Sequence, residues 1–218
     1  DADKLGEQTI TVSYDGLSAT FTVTVKEKEE PDRPFVDVKE GSWYYDPVYY
    51  NYDNGIMTGY SDRPDHFGPD DNLARAQFAM ILYRLNDSPD VEYDDVFPDV
   101  PDGEWFTDAI LWAADTGVVT GYTDSGKFGP ADKINREQMA VMMYRYATYK
   151  EYDTSIKADF SKFEDGDKVS EFAKEAMKWA VGNEIITGKY NGTQIDPQGN
   201  ATRAECATII QRFIEKYE

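Results

Sequence analysis

The sequence predicts a mainly α-helical chain that opens with a short β-hairpin. Three observations carry that expectation. A single pattern of about fifty residues is written three times, at FVDVKEGSWYYDP…LARAQ, FPDVPDGEWFTDA…INREQ and FEDGDKVSEFAKE…ATRAE. Each copy holds two stretches of helical periodicity separated by a turn-rich loop. Ahead of them, residues 9–25 alternate apolar and polar residues around Asp15-Gly16, the signal of a hairpin.

The hairpin comes first. Ile10, Val12 and Tyr14 are expected to share one face, as are Phe21, Val23 and Val25. Two strands alone are marginal in water, so this segment reads as the end of a β-sandwich whose other strands lie upstream. KEKEEPDRP then reads as a charged, proline-punctuated linker.

The repeats follow. Their glycines Gly59, Gly121 and Gly188 are 62 and then 67 residues apart, and their arginines Arg75, Arg136 and Arg203 are 61 and 67 apart. Such a period signals stacked units, none able to bury its apolar face alone. In the second helix, Phe78, Ile81, Leu82 and Leu85 recur at i, i+3, i+4 and i+7. Met139, Met142, Met143 and Tyr146 repeat the stripe, as do Cys206, Ile209, Ile210 and Phe213. Three matching stripes require one shared core, with the three second helices converging on a single axis. The first helix aligns Val48, Ile110 and Met177 inward, then Tyr52, Ala114 and Val181 one turn on. Trp112 and Trp179 align with Tyr50 as packing residues. Gly55 and Gly117 stand where left-handed caps end the first helix; Glu184 takes that place in the third copy, so a different ending is expected there. Pro69, Pro130 and Pro197 stop the first helix from running on, and Phe67, Phe128 and Ile195 plug the loop onto the core.

Composition narrows the function. The 218 residues are 40% hydrophobic and 14% aromatic, which suits packed globular units. The 22 basic and 42 acidic residues give a net charge of −20, which disfavours nucleic acid and a polybasic membrane anchor. No apolar run approaches the roughly 20 residues that span a bilayer. The one cysteine, Cys206, excludes an intrachain disulfide and reads as a small core residue. The one histidine, His66, sits in a loop tip that varies between copies, so neither a multi-histidine metal site nor a Ser-His-Asp triad is available. There is no glycine-rich phosphate loop, no CxxC and no EF-hand spacing. No catalysis, metal or cofactor is expected.

The second helix opens with a capping box in Thr202 and Glu205, and a weaker one in Asn135 and Gln138. Ala74 cannot cap through its side chain, so Asn72 is a substitute acceptor. The arginine that follows is out of place, because the helix dipole opposes a cation there by roughly 0.3–1 kcal/mol. Either a carboxylate of the F-x-D motifs (Asp37, Asp99, Asp165) holds it, or it holds a ligand anion; the residues leave both open. Trp43, Trp105 and Phe172 occupy one position ahead of the first helix, where an aromatic is more often a lid on the core than a platform for a sugar ring.

F-x-D-V…W, G-Y-x-D…F-x-P and the terminal TRAE-type motif, three times in register from Phe35 to about Arg212, resemble S-layer homology domains. These are triplicated modules that attach bacterial surface proteins to the cell wall. LGEQTITVSYDGLSATFTVTV resembles the C-terminal end of a bacterial immunoglobulin-like domain. The first resemblance implies a pseudo-threefold prism around a central three-helix bundle, and grooves that bind an anionic secondary cell-wall polysaccharide ending in pyruvylated N-acetylmannosamine. It places Arg75, Arg136 and Arg203 beside the acidic sugar, has Gly59, Gly121 and Gly188 admit it against backbone, and lines the grooves with Trp43 and Trp105. Gln77 and Gln138 depart from the family's glutamate, Ala74 and Asn135 from its threonine, and Lys189 from its tyrosine. Arg136 and Arg203 are expected to be the stronger ligand contacts, their helices having side-chain caps.

The expected organisation is a hairpin at 1–26, a linker at 27–34 and repeats at 35–96, 97–162 and 163–218. The expected role is a non-catalytic anchor outside the bacterial cell. It binds secondary cell-wall polysaccharide, neither binds nucleic acid nor inserts in membrane, and has a hairpin able to self-associate. The alternatives are a protein–protein assembly module using Tyr44, Tyr45, Tyr49 and Tyr50, and a longer polysaccharide-degrading enzyme with its catalytic domain upstream.

Overall fold

A computed structural model describes residues 5–25 and 32–218; most of the expected linker lies outside the described residues. The chain divides into two compact units, Asp1–Arg33 and Pro34–Glu218.

The first unit is the hairpin. β1 (Gly6–Tyr14) pairs antiparallel with β2 (Leu17–Val25), with Ile10 opposite Phe21 and Val12 opposite Ala19. Asp15 and Gly16 take φ of 49° and 79°, the two left-handed residues that a tight hairpin turn requires. Cross-strand partners share a face, so Ile10, Val12, Tyr14, Leu17 and Phe21 form one apolar surface, and all five side chains are exposed.

The second unit holds six helices, two per repeat. They are α1 (Tyr45–Asp53), α2 (Arg75–Leu85), α3 (Thr107–Asp115), α4 (Arg136–Tyr149), α5 (Lys174–Gly182) and α6 (Arg203–Tyr217). Two single-turn 3-10 helices, Gly166–Lys168 and Glu171–Ala173, lead into α5. Each second helix packs on the first helix of another repeat: α2 on α3, α4 on α5, and α6 back on α1. The order of contacts is therefore cyclic. The stripes predicted from sequence form one continuous core, not three beads, and α2 also touches α4. Val48, Ile110 and Met177 are fully buried, as are the loop plugs Phe67, Phe128 and Ile195. Each such side chain contributes about 1.5–3 kcal/mol by leaving water. Trp112 and Trp179 are buried, whereas Tyr52 and Ala114 are only half-buried.

A ring of backbone hydrogen bonds ties the repeats together just ahead of α2, α4 and α6. The Leu73 N–H donates to the Ala201 carbonyl at 2.9 Å, Ala201 to Ile134 at 3.0 Å and Ile134 to Leu73 at 3.0 Å. All three side chains are fully buried, so the ring closes inside the core.

Two local expectations are corrected. Gly55 and Gly117 do end their helices with φ of 70° and 72°, but Glu184 adopts the same conformation with φ 59°. The third helix thus ends like the others, with the core contacts of Ile185 and Ile186 holding a non-glycine residue in a left-handed turn. Asn72 does not cap α2. The free amides of Arg75 and Ala76 instead donate to the carbonyls of Asp132 and Pro130 in the neighbouring repeat, and Gln77 accepts from the Ala74 N–H at 2.9 Å.

Candidate functional site

The three F-x-D aspartates do not pair with the motif arginines. Each carboxylate accepts two consecutive loop amides: Asp37 from Phe67 and Gly68, Asp99 from Phe128 and Gly129, Asp165 from Ile195 and Asp196, all at 2.8–2.9 Å. The arginine of another repeat seizes the same loop from the carbonyl side. Arg203 Nε donates to the Phe67 carbonyl at 2.6 Å, Arg75 Nε to Phe128 at 2.9 Å and Arg136 Nε to Ile195 at 2.8 Å. One residue per loop is thus clamped by an anion on its N–H and a cation on its C=O. This is how a cation is held at a helix N-terminus that repels it: the alternatives raised by the sequence omitted the neighbouring repeat's carbonyl. The first amides of α2, α4 and α6 are taken up by loop carbonyls of a neighbouring repeat, so an incoming anion meets side chains there.

The three arginines are 4–6% exposed as whole residues, and burial pushes each below its ordinary pKa. Arg203 lies over the rings of Tyr60 and Phe67, and Arg75 over Tyr122 and Phe128, with centroid distances of 4.6–4.8 Å. Arg203 Nη2 also donates to the Thr58 carbonyl at 2.7 Å. The Tyr60 hydroxyl donates to Asp71 at 2.8 Å; burial first, then that bond, pushes the phenol up to about 12.

Three grooves result, and every repeat contributes to each. The first, of about 470 Å³, gathers Gly59 and Tyr60 from repeat 1, Trp105 from repeat 2 and Arg203 from repeat 3. The second, about 300 Å³, gathers Arg75, Gly121 and Phe172. The third, about 580 Å³, gathers Trp43, Arg136 and Gly188. All eight residues singled out in the sequence fall into these grooves, one arginine and one glycine to each. A larger hollow of about 760 Å³ adjoins the first groove through Tyr60, Gln77 and Trp105.

The aromatics are not core lids. Trp43, Trp105 and Phe172 are 63%, 58% and 64% exposed, each standing in the turn before its helix. The glycines answer first to the chain itself. A Cβ on Gly121 would meet the Phe97 ring at 2.7 Å and the Lys127 carbonyl at 2.8 Å; on Gly188 it would meet the Gln194 carbonyl at 2.9 Å. On Gly59 it would collide with the Pro64 carbonyl.

The sequence reading passed over a second arginine triplet. Arg84, Arg145 and Arg212 each follow the motif arginine by nine residues and reach the groove loops. Arg84 donates to the Ile56 carbonyl at 3.0 Å, Arg145 to Thr120 Oγ1 at 3.3 Å and Arg212 to Thr187 Oγ1 at 3.1 Å. Their identical spacing was the available signal. Among the described residues, the first two grooves are therefore each lined by two arginines and no carboxylate. Among the described residues no cluster of His, Cys, Asp and Glu is arranged to hold a metal ion. His66 is partly exposed beside Asp65, and Cys206 is fully buried with its thiol pKa raised by desolvation.

Comparison with known proteins agrees with this architecture. The model of the S-layer homology domain matches residues 34–79, 96–140 and 162–207, and that of the bacterial Ig-like domain (group 3) matches residues 1–25. The chain belongs to the S-layer homology family, as a triplet preceded by an Ig-like segment, and it is a cell-surface anchoring module of the extracellular face and cell wall. It is 33% identical over 84% of its length to an endoglucanase of Bacillus sp. (strain KSM-635), covering 19% of that protein. It is 28% identical over 76% of its length to the surface-layer 125 kDa protein of Lysinibacillus sphaericus, covering 14% of it. A cellulosome-anchoring protein of Acetivibrio thermocellus is 26% identical over 85% of the chain, which covers 40% of that protein. The chain thus spans well under half of each of these relatives. The likeness to the endoglucanase extends over a minor part of that enzyme.

Proposed function

We propose that the chain anchors a surface protein non-covalently by holding an anionic, pyruvylated secondary cell-wall polysaccharide in the grooves between its repeats. The observation that carries this reading is the shared make-up of the grooves: an exposed aromatic rim over a floor of two arginines. A flat apolar face suits a sugar ring, and guanidinium suits a carboxylate through charge-assisted hydrogen bonds. Arg75, Arg136 and Arg203 are the ligand arginines of the reading, with Arg84, Arg145 and Arg212 beside them. A guanidinium carries five N–H donors, and Arg203 uses two on carbonyls, so donors remain for a ligand. Gly59, Gly121 and Gly188 let the loop close tightly enough to form the groove wall. Trp43 and Trp105 supply the stacking faces. The net charge of −20 opposes an acidic polymer at long range, but that field decays over about 8 Å at physiological salt.

The cyclic contacts, with the backbone ring of Leu73, Ile134 and Ala201 just ahead of α2, α4 and α6, support a pseudo-threefold prism with those three helices around its axis, and repeats bounded at 35–96, 97–162 and 163–218. The catalytic or structural cargo belongs to the longer protein. Sedimentation with purified cell-wall polymer tests the reading: the chain co-sediments with native polymer and stays in solution once mild acid has removed the pyruvyl ketals. Equal binding to both forms overturns the anionic ligand. The rival reading, protein–protein assembly through the tyrosines of α1, draws less support, since Tyr49 is buried and Tyr44, Tyr45 and Tyr50 pack against the core.

A further inference from the structure

One buried carboxylate has no part in the clamps or the groove floors. Glu137 follows the motif arginine on α4, is 3% exposed, and stands where the other two helices have Ala76 and Ala204. Its backbone does what theirs does: the N–H donates to the Pro197 carbonyl at 2.8 Å, as Ala76 donates to Pro130 and Ala204 to Pro69. Its side chain does something the alanines cannot. One carboxylate oxygen accepts the Ser170 hydroxyl at 2.8 Å and the other accepts the Ser170 N–H at 3.0 Å. The first turn of α4 favours a negative charge there, through the helix dipole.

Ser170 stands two residues before Phe172, the rim aromatic of the second groove. Gly41 and Gly103 stand two residues before Trp43 and Trp105, with left-handed φ of 80° and 79°. Ser170 has an ordinary φ of −61° and opens the 3-10 helix Glu171–Ala173 that carries Phe172. The segment is also one residue longer: Phe172 lies nine residues after Phe163, whereas Trp43 and Trp105 lie eight after Phe35 and Phe97. In repeat 2 the turn is tied from inside by Thr107, which accepts the Glu104 N–H at 3.1 Å and donates to the Pro101 carbonyl at 2.7 Å; Lys174 takes that position in repeat 3. Two positions thus change in concert. Alanine on the second helix and glycine in the turn of the repeat packed on it become Glu137 and Ser170.

We propose that Glu137 is a positioning residue of the second groove: by holding Ser170 at two points it fixes the turn that sets Phe172 beside Arg75 and Arg145. The proposal rests on the glycan-binding reading above and adds to it a residue that is not among those lining the groove. Phe172 is 64% exposed, so its place is set by the turn beneath it more than by packing of its ring. A rim that must be ordered as the sugar arrives costs affinity, and a rim held in advance does not. Loss of the hold is expected to weaken binding in this groove by about threefold to tenfold, the worth of immobilising one side chain.

The rim position supplies its own probe. Phe172→Trp gives the second groove the rim type of the other two and adds an indole N–H resonance to those of Trp43, Trp105, Trp112 and Trp179, by which it is assigned. The whole chain carrying this change, labelled with ¹⁵N, is titrated with the 4,6-pyruvyl ketal of a methyl N-acetylmannosaminide, alone and combined with Glu137→Ala or Glu137→Gln. Glu137→Ala is expected to raise the midpoint of the new indole by about threefold to tenfold and to leave those of Trp105 and Trp43 where they were. Glu137→Gln keeps an acceptor for the Ser170 N–H and offers the hydroxyl a donor, and is expected to restore the midpoint to within about twofold. An unshifted midpoint in Glu137→Ala overturns the proposal and leaves the glycan reading standing. So do a rise at all three rims together, which marks a general loosening, a glutamine that rescues nothing, and a new indole that stays silent while Trp105 responds. Silence of every rim indole, with unchanged dispersion showing a folded chain, overturns the glycan reading together with this one.

Discussion

The inner ring of the helical unit and the rim of its grooves follow opposite rules. The ring consists of the three aspartates, the three arginines and the loop residues they clamp, and it is nearly identical in all copies: anion on the N–H, cation on the C=O, with donor–acceptor distances of 2.6–2.9 Å. The rim varies from copy to copy. Its aromatic is Trp105, Phe172 or Trp43, its polar partner Tyr60, Tyr122 or Lys189, and its N3 residue Gln77, Gln138 or Glu205. What a repeat must share in order to stack is fixed by its neighbours; what it presents to solvent is free to diverge. Recurrence within one chain therefore marks the scaffold first, and the strongest repeat signal does not by itself identify the ligand contacts.

The sharpest way to break this distinction is to remove part of the ring. Asp165 is buried and accepts the amides of Ile195 and Asp196. Asp165→Ala strands two amides, so its stability in urea should fall by about 3–4 kcal/mol, and Asp165→Asn, which keeps one acceptor, by about half that. A loss below about 1 kcal/mol would place Asp165 outside the scaffold. Arg203→Ala comes next. Relief of the dipole clash returns roughly 0.3–1 kcal/mol. Leaving the Phe67 and Thr58 carbonyls without their donors and uncovering two rings costs about 2–4 kcal/mol, so the melting temperature should fall. Arg203 has structural work whether or not it also meets a sugar. Gly121→Ala follows, at about 1–3 kcal/mol, from a φ of 66° and the approach of Phe97, and a normal melting curve would show that the loop can yield.

Much of the fold was legible because it depends on local chemistry. Periodicity located the inward faces of all six helices, Asp15-Gly16 located the hairpin turn, and Thr202 with Glu205 located a capping box that the structure reproduces. The site was legible as a set of residues but not as a set of contacts. Nothing in LARAQ, INREQ and ATRAE states that Arg75 serves the loop of repeat 2, Arg136 that of repeat 3 and Arg203 that of repeat 1. Those pairings span as many as 136 residues and arise only when the ring closes. For the same reason the aspartates stood in the sequence as one of two open partners for the arginines, whereas each in fact accepts a pair of loop amides. The exposure of Trp43 and Trp105 was hidden too, since a tryptophan before a helix reads the same in sequence whether it faces the core or the solvent.

The smallest effect on stability is expected at the rim, and there the distinction becomes a functional test. Trp105 is mostly exposed, precedes α3 and, among the described residues, makes one ring contact, with Phe106 at 5.2 Å. Trp105→Ala should therefore change unfolding stability by less than about 1 kcal/mol, since one exposed aromatic pair is worth about that much. Its effect on polymer binding should be larger, about tenfold, because an exposed aromatic buried only by ligand gains its worth on binding. Trp105→Phe, which narrows the first groove's rim to the type found in the second, should retain most of the affinity. Arg203→Ala moves both quantities, Asp165→Ala moves mainly stability, and Trp105→Ala moves mainly binding; that separation is what division into ring and rim requires. A Trp105→Ala chain that melts several degrees lower while binding polymer undiminished would reverse the assignment, making the tryptophan part of the scaffold and leaving the groove without its sugar platform.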